Sequence, residues 1–142
     1  MRLLLDTHVW LWALLEPGRL SQRVSAALQD PANEVWLSPI STWEVLVLAA
    51  KGRVVLDVEP AAWIRGALRS VPFREAPLTH EVAMRSHSID LPHHDPADRF
   101  IAATASVYDL TLVTADERLF HSKMYHLLAN VPRATPPSPG RP

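Results

Sequence analysis

Short apolar blocks alternate with stretches of helical spacing along most of the chain. Residues 2–5 form an apolar run stopped by Asp6, which predicts a strand, and residues 7–15 then read as a helix that Pro17 and Gly18 end. Ser21 caps a second predicted helix reaching Gln29, residues 31–34 read as a turn, and the β-branched and aromatic stretch 35–37 predicts a strand broken by Pro39. From Ser41, residues 42–51 have helical spacing with Gly52 in the C-terminal cap position, followed by the apolar run 54–56 and a helix containing Trp63 after Pro60. Thr79 starts a helix to Ser88. Asp95 and Pro96 open a long helix to Tyr108, with Asp at the N-cap and Pro in the first turn. Residues 110–114 predict a strand ended by Asp116, and residues 125–128 predict the last one. Alternating strands and helices imply a three-layer α/β/α domain whose central, mostly parallel sheet is flanked by helices. In such folds ligands bind outside the carboxyl ends of the strands.

Composition narrows the picture. The 142 residues, 48% of them apolar, suit one compact domain, expected over residues 1–131. Residues 132–142 carry four prolines beyond Pro132 and no apolar periodicity, which predicts a disordered tail. The longest unbroken apolar run is the seven residues 9–15, against roughly 18 needed to cross a bilayer, so neither a membrane span nor a secretory signal is expected. Absence of cysteine removes disulfides, thiol nucleophiles and Cys-ligated zinc, and makes a reducing cytoplasm the expected setting. A formal charge of −1 excludes a broad basic nucleic-acid footprint, so any nucleic acid must be met by local charge. Arginine supplies 12 of the 14 cations; it suits bidentate phosphate recognition, although a GC-rich genome produces the same bias.

The candidate chemistry lies in the acids. Asp6 and Asp116 each follow a predicted strand, and Asp98 sits in the first turn of the helix opened by Asp95. Each has a structural alternative: Asp6 and Asp95 as caps, Asp98 as a partner of the helix dipole, Asp116 as a turn former. Glu44 shares a helical stripe with Ile40, Val47 and Leu48, where an unpaired carboxylate is costly, so it needs a partner or a metal. Lys51 on the same stripe offers the alternative of a solvated edge. Three or four carboxylates at one spot repel each other unless a divalent cation compensates, and oxygen-only ligation points to Mg2+, with Mn2+ as the other choice. Such a cation activates water for attack on a phosphodiester.

Four segments together carry a resemblance: Leu3-Leu4-Leu5-Asp6-Thr7-His8, Ser41-Thr42-Trp43-Glu44, His93-His94-Asp95-Pro96-Ala97-Asp98-Arg99-Phe100-Ile101-Ala102-Ala103, and Leu112-Val113-Thr114-Ala115-Asp116. In this order and spacing they resemble PIN-domain proteins of the VapC toxin type, over residues 1 to about 130. The resemblance implies a metal-dependent endoribonuclease acting on single-stranded or loop RNA, the toxin of a toxin-antitoxin pair, with Asp6, Glu44, Asp98 and Asp116 as catalytic and metal-binding acids. Asp95 is then a supporting or capping residue. Thr114, two residues before Asp116 on one strand face, is a candidate holder of water or a satisfied strand hydroxyl. Arg99 is a candidate for a substrate phosphate or for an ion pair with an acid. The expected partners are the RNA, an antitoxin protein that places a cation against Asp6, Glu44 and Asp98, and a second copy of the chain.

Other features point elsewhere. His87, His93 and His94 lack HExxH spacing and read as loop residues rather than a zinc site. Trp10, Trp12 and Trp43 lie in apolar helices and read as core or dimer-interface residues more than RNA platforms. The stretch 45–50, apolar almost all round, suggests burial between subunits. The competing functions are a housekeeping PIN nuclease in RNA processing and a non-catalytic, magnesium-binding flavodoxin-like module. The latter wants a downstream strand-end Lys that neither Lys51 nor Lys123 supplies, and an Asp-nucleophile phosphatase would show DxD where this chain has Asp6-Thr7-His8.

Overall fold

The structure is a computed structural model that describes residues 1–92 and 94–131. The tail expected at 132–142, and His93, lie outside the described residues. Five strands, β1 (Arg2–Leu5), β2 (Glu34–Leu37), β3 (Arg74–Glu75), β4 (Thr111–Thr114) and β5 (His126–Ala129), form one sheet in the order β3-β2-β1-β4-β5. Every adjacent pair is parallel, so the expected mostly parallel sheet is wholly so. The helices are α1 (Thr7–Leu15), α2 (Gln22–Gln29), α3 (Pro39–Ala50), α4 (Pro60–Ser70), α5 (His80–Ser88) and α6 (Pro96–Tyr108).

Side-chain alternation along β1 divides the core in two, because successive residues of a strand face opposite sides. Leu3 and Leu5 point to one face, where Val9 and Trp10 of α1, Val24 of α2, Val45 of α3 and Ile64 of α4 cover them. Leu4 points to the other, against Ile101 and Ala105 of α6 with Leu112 beside it. Strands buried on both faces read as continuous apolar runs, which is why residues 3–5 show no alternation.

Most boundaries follow local signals. The side chains of Asp6, Ser21, Thr79 and Asp95 each accept a backbone N–H in the first turn of the helix that follows. Two expectations are corrected. Pro39 begins α3 instead of merely breaking β2, because its missing N–H costs nothing at the first helical position, so the helix starts ahead of the expected residue 42 with Ser38 as its cap. The apolar run 54–56 forms no strand; on the side away from β1, β2 pairs in parallel with the two-residue β3, too short to leave a periodic signature. Gly52 does adopt the left-handed conformation (φ +70) just past α3, where a side chain would be strained. Among the described residues no helix is long and apolar enough to cross a membrane.

Candidate active site

A wholly parallel sheet puts all its carboxyl ends on one edge, and the order β3-β2-β1-β4-β5 places the point where the strand order reverses between β1 and β4. The acids gather there. Asp6 follows β1 immediately, its backbone N–H donating to the Val113 carbonyl at 2.9 Å. Its carboxylate is 5% exposed and fixed on both sides: Oδ1 accepts the Thr7 N–H and Oδ2 accepts the Thr114 hydroxyl, each at 2.7 Å. Thr114 thus positions an acid, and its oxygen also accepts the Asp116 N–H at 3.0 Å. Asp98, 7% exposed in the first turn of α6, has its N–H held by Asp95 Oδ1 at 3.2 Å. Glu44 comes from α3, whose approach to α1 is set by the buried Thr7 hydroxyl donating to Ser41 Oγ at 3.0 Å. Asp6, Glu44, Asp95, Asp98 and Asp116 all line one pocket of about 300 Å3.

The pocket pushes two of its acids, Asp6 and Glu44, upward. Burial raises the Asp6 carboxyl from 3.8 to about 6, the hydrogen bond from Thr114 opposes this, and the nearby Asp98 charge adds to it. Glu44 is raised too, by burial first and by Asp6 among the charges. A folded-state value above the unfolded one means that the native protein holds the extra proton between about pH 4 and 6. Stability from Asp6 is therefore fully present below pH 4 and is lost as pH rises through 6, an effect on the order of 2–3 kcal/mol. In chelator, wild type and Asp6→Asn should melt with a constant offset below pH 4, and wild type should fall behind progressively up to pH 7. A parallel pair of melting curves over that range would mean that Asp6 is not strained.

The donor chemistry suits a hard divalent cation: carboxylates predominate, with the His8 imidazole beside them, and one carboxylate is deeply buried and held by neutral donors. As they stand, no three His, Asp or Glu side chains among the described residues are grouped closely enough to hold an ion. A cation of the protein's own takes part instead. The Arg118 guanidinium donates to Asp116 Oδ2 at 2.7 Å and reaches Asp98 Oδ2 at 3.4 Å, with Asp116 capping the short turn Glu117–Leu119. Sequence reasoning missed Arg118; its position two residues past the turn-forming Asp116 is the signal that was there.

Other expected residues lie elsewhere. Arg99 does not line the pocket; its guanidinium donates to the carbonyls of Ser86, His87 and Ile89 at 3.0–3.1 Å, tying the end of α5 to α6. Trp10 is wholly buried as expected, whereas Trp43 is 52% exposed and Trp12 lines the acidic pocket.

A model of the family described as PIN domain matches residues 3–124. Ribonuclease VapC22 of Mycobacterium tuberculosis (strain ATCC 25618 / H37Rv) is 38% identical over 119 residues, covering 82% of this chain and 88% of that protein. The crystal structure of VapBC2 from Rickettsia felis, bound to a DNA fragment from their promoter, superposes with a TM-score of 0.69 at 15% identity. The match spans 91% of this chain and 98% of that one. FitAcB from Neisseria gonorrhoeae gives 0.61 at 25% identity, over 90% and 97%. With the family model spanning most of the domain and a relative this similar along it, the chain belongs to the PIN-domain family.

Proposed function

We propose that the protein is a metal-dependent endoribonuclease that hydrolyses phosphodiester bonds in single-stranded or loop RNA, acting in the cytoplasm as the toxin of a toxin-antitoxin pair. The observation that carries this reading is the gathering of Asp6, Glu44, Asp98 and Asp116 where β1 and β4 end, in a chain 38% identical to a ribonuclease. Asp6 and Asp98 would hold a Mg2+ or Mn2+ ion, with Glu44 and Asp116 completing the acidic ring. A divalent cation there supplies the charge that activates an attacking water and offsets charge developing on the leaving oxygen. The chain's own residues do the rest. Thr114 and the Thr7 N–H orient the Asp6 carboxylate, and the Thr7–Ser41 bond sets Glu44 beside it. Glu44, with its proton affinity raised, is placed to take a proton from the water. Asp95 keeps Asp98 in the first turn of α6.

The partners are proposed on the same footing. A second copy would cover the exposed Trp43 and Leu46 of α3. An antitoxin would lay an apolar segment along α3 and place an Arg or Lys against Asp6, Glu44 and Asp98. What supports that last element is Arg118, a guanidinium already paired with Asp98 and Asp116.

The test is incubation of the purified protein with total RNA in Mg2+, in Mn2+ and in chelator, followed by mapping of the ends. Cleavage at defined sites with either ion and none in chelator is expected. Equal cleavage in chelator, or none under any condition, would overturn the reading.

A further inference from the structure

Trp12 stands at the junction of three depressions. It lines the acidic pocket, a cleft of about 830 Å3 on one side and another of about 700 Å3 on the other. The larger cleft shares His8, Glu44 and Asp95 with the acidic pocket, so the two are continuous. Its cations, Arg19 and Arg53, line the cleft and not the acidic pocket, on the side of Trp12 away from Arg118, while Glu44 and Asp95 lie where the two depressions join and Glu16 lies beside Arg19. Arg19 lies over the Trp12 ring, its guanidinium carbon 4.2 Å from the ring centroid, and pairs loosely with Glu16 at 3.6 Å. Arg53 is exposed, and its guanidinium has no hydrogen-bond or ion-pair partner among the described residues.

From this arrangement we propose that Trp12, Arg19 and Arg53 form a nucleotide subsite beside the scissile position, taking one unstacked base and its phosphate from a single-stranded stretch of RNA. The proposal rests on the ribonuclease reading and adds to it where the substrate strand lies. The Trp12 indole is the stacking platform. A base cannot enter between ring and guanidinium at 4.2 Å, so it takes Arg19's place on the ring and Arg19 turns to the phosphate. The exchange is favourable because Arg19 gives up only an exposed cation–π contact and a surface ion pair, both weak, for a stacked base and a charge-assisted phosphate contact. The paired bases of an A-form helix offer no free face to the indole, which makes the subsite select unpaired RNA. Stacking reads no base edge, so the subsite sets register along the strand and not base identity.

The test measures anisotropy of a fluorescein-labelled, mixed-sequence 12-nucleotide single-stranded RNA with the full-length protein in chelator, where nothing is cleaved. Trp12→Leu should weaken binding about tenfold and Trp12→Phe much less, since a smaller aromatic still stacks. Arg53→Ala should weaken it about threefold and reduce the salt slope by about one. Arg69→Ala, exposed on α4 and outside the cleft, should change nothing. Arg53→Ala is a surface change and keeps the proposal testable even if Trp12→Leu folds poorly. Unchanged RNA affinity in the Trp12 and Arg53 variants would overturn the subsite and leave the cleft to a protein partner. If wild type cleaves the same RNA in Mg2+ while the variants bind it as wild type does, the subsite alone fails. If wild type neither binds nor cleaves RNA, the ribonuclease reading fails with it.

Discussion

Asp6→Asn is expected to abolish RNA cleavage, by on the order of 10³-fold or more, while raising the melting temperature of the metal-free protein. The two effects share one cause. Asp6 is the most deeply buried of the gathered acids, and burial together with Asp98 pushes its carboxyl to about 6. At pH 7.5 the folded, metal-free protein therefore carries a charge that its surroundings disfavour. The amide removes that charge at a smaller cost: its oxygen accepts the Thr7 N–H and its NH2 donates to the Thr114 hydroxyl oxygen, although the Thr114 O–H gives up its carboxylate acceptor, which offsets part of the gain. A gain of about 1–2 kcal/mol, or roughly 3–7 °C, should follow. Asp6→Ala separates the roles. It also loses cleavage, but it leaves the first turn of α1 uncapped and the buried Thr114 hydroxyl without its acceptor, so the melting temperature should fall. Thermal melts in chelator and cleavage assays in Mg2+ on both variants give the answer. Cleavage retained by Asp6→Asn, or a fall in stability equal to that of Asp6→Ala, would make Asp6 a helix cap and nothing more.

Arg99→Ala should do the opposite, removing about 2–4 kcal/mol of stability, a fall of roughly 6–14 °C, without changing RNA affinity at a temperature where the variant is folded. Its guanidinium satisfies carbonyls of Ser86, His87 and Ile89, groups at the end of α5 that no helical N–H reaches, and it does so from α6. Removing it leaves the Ser86 and His87 carbonyls to water, leaves Ile89 only its bond from the Leu91 N–H, and unties two helices that pack side by side. Arg99→Lys should recover little, because one ammonium cannot serve three carbonyls in the geometry of a planar fork. Calorimetry of the three proteins measures the first effect, and anisotropy with the labelled single-stranded RNA the second. An unchanged melting temperature with weakened RNA binding would make Arg99 a phosphate ligand after all.

The helices and long strands of this protein were legible in the residues because their signals act within a few positions. Asp6, Ser21, Thr79 and Asp95 cap from one to three residues away, and a strand covered on both faces shows itself as an uninterrupted run such as residues 3–5. The acids were legible for related reasons: Asp6 and Asp116 follow strands and Asp98 lies in the first turn of a helix, positions that parallel strands deliver to a single edge, while Glu44 stood out as a carboxylate on an apolar helical stripe. Assembly of the fold decided what depends on contacts between distant segments. Two residues suffice for β3 because β2 pairs with them, and no period can be read from two residues. Thr7 meets Ser41 across 34 positions, and Arg99 reaches back to α5; neither bond leaves a trace in local spacing. Arg118 sits beside the turn-forming Asp116, yet its contact with Asp98 exists only because α6 begins at the edge where β4 ends. Trp12 is the clearest case. An aromatic in an apolar helix reads as core, and only the packing of α1, with Trp10 buried and Trp12 turned toward the acids, makes one tryptophan a structural residue and the other a surface for chemistry. Helical period tells which residues share a face; what each face meets depends on register and packing among all the elements.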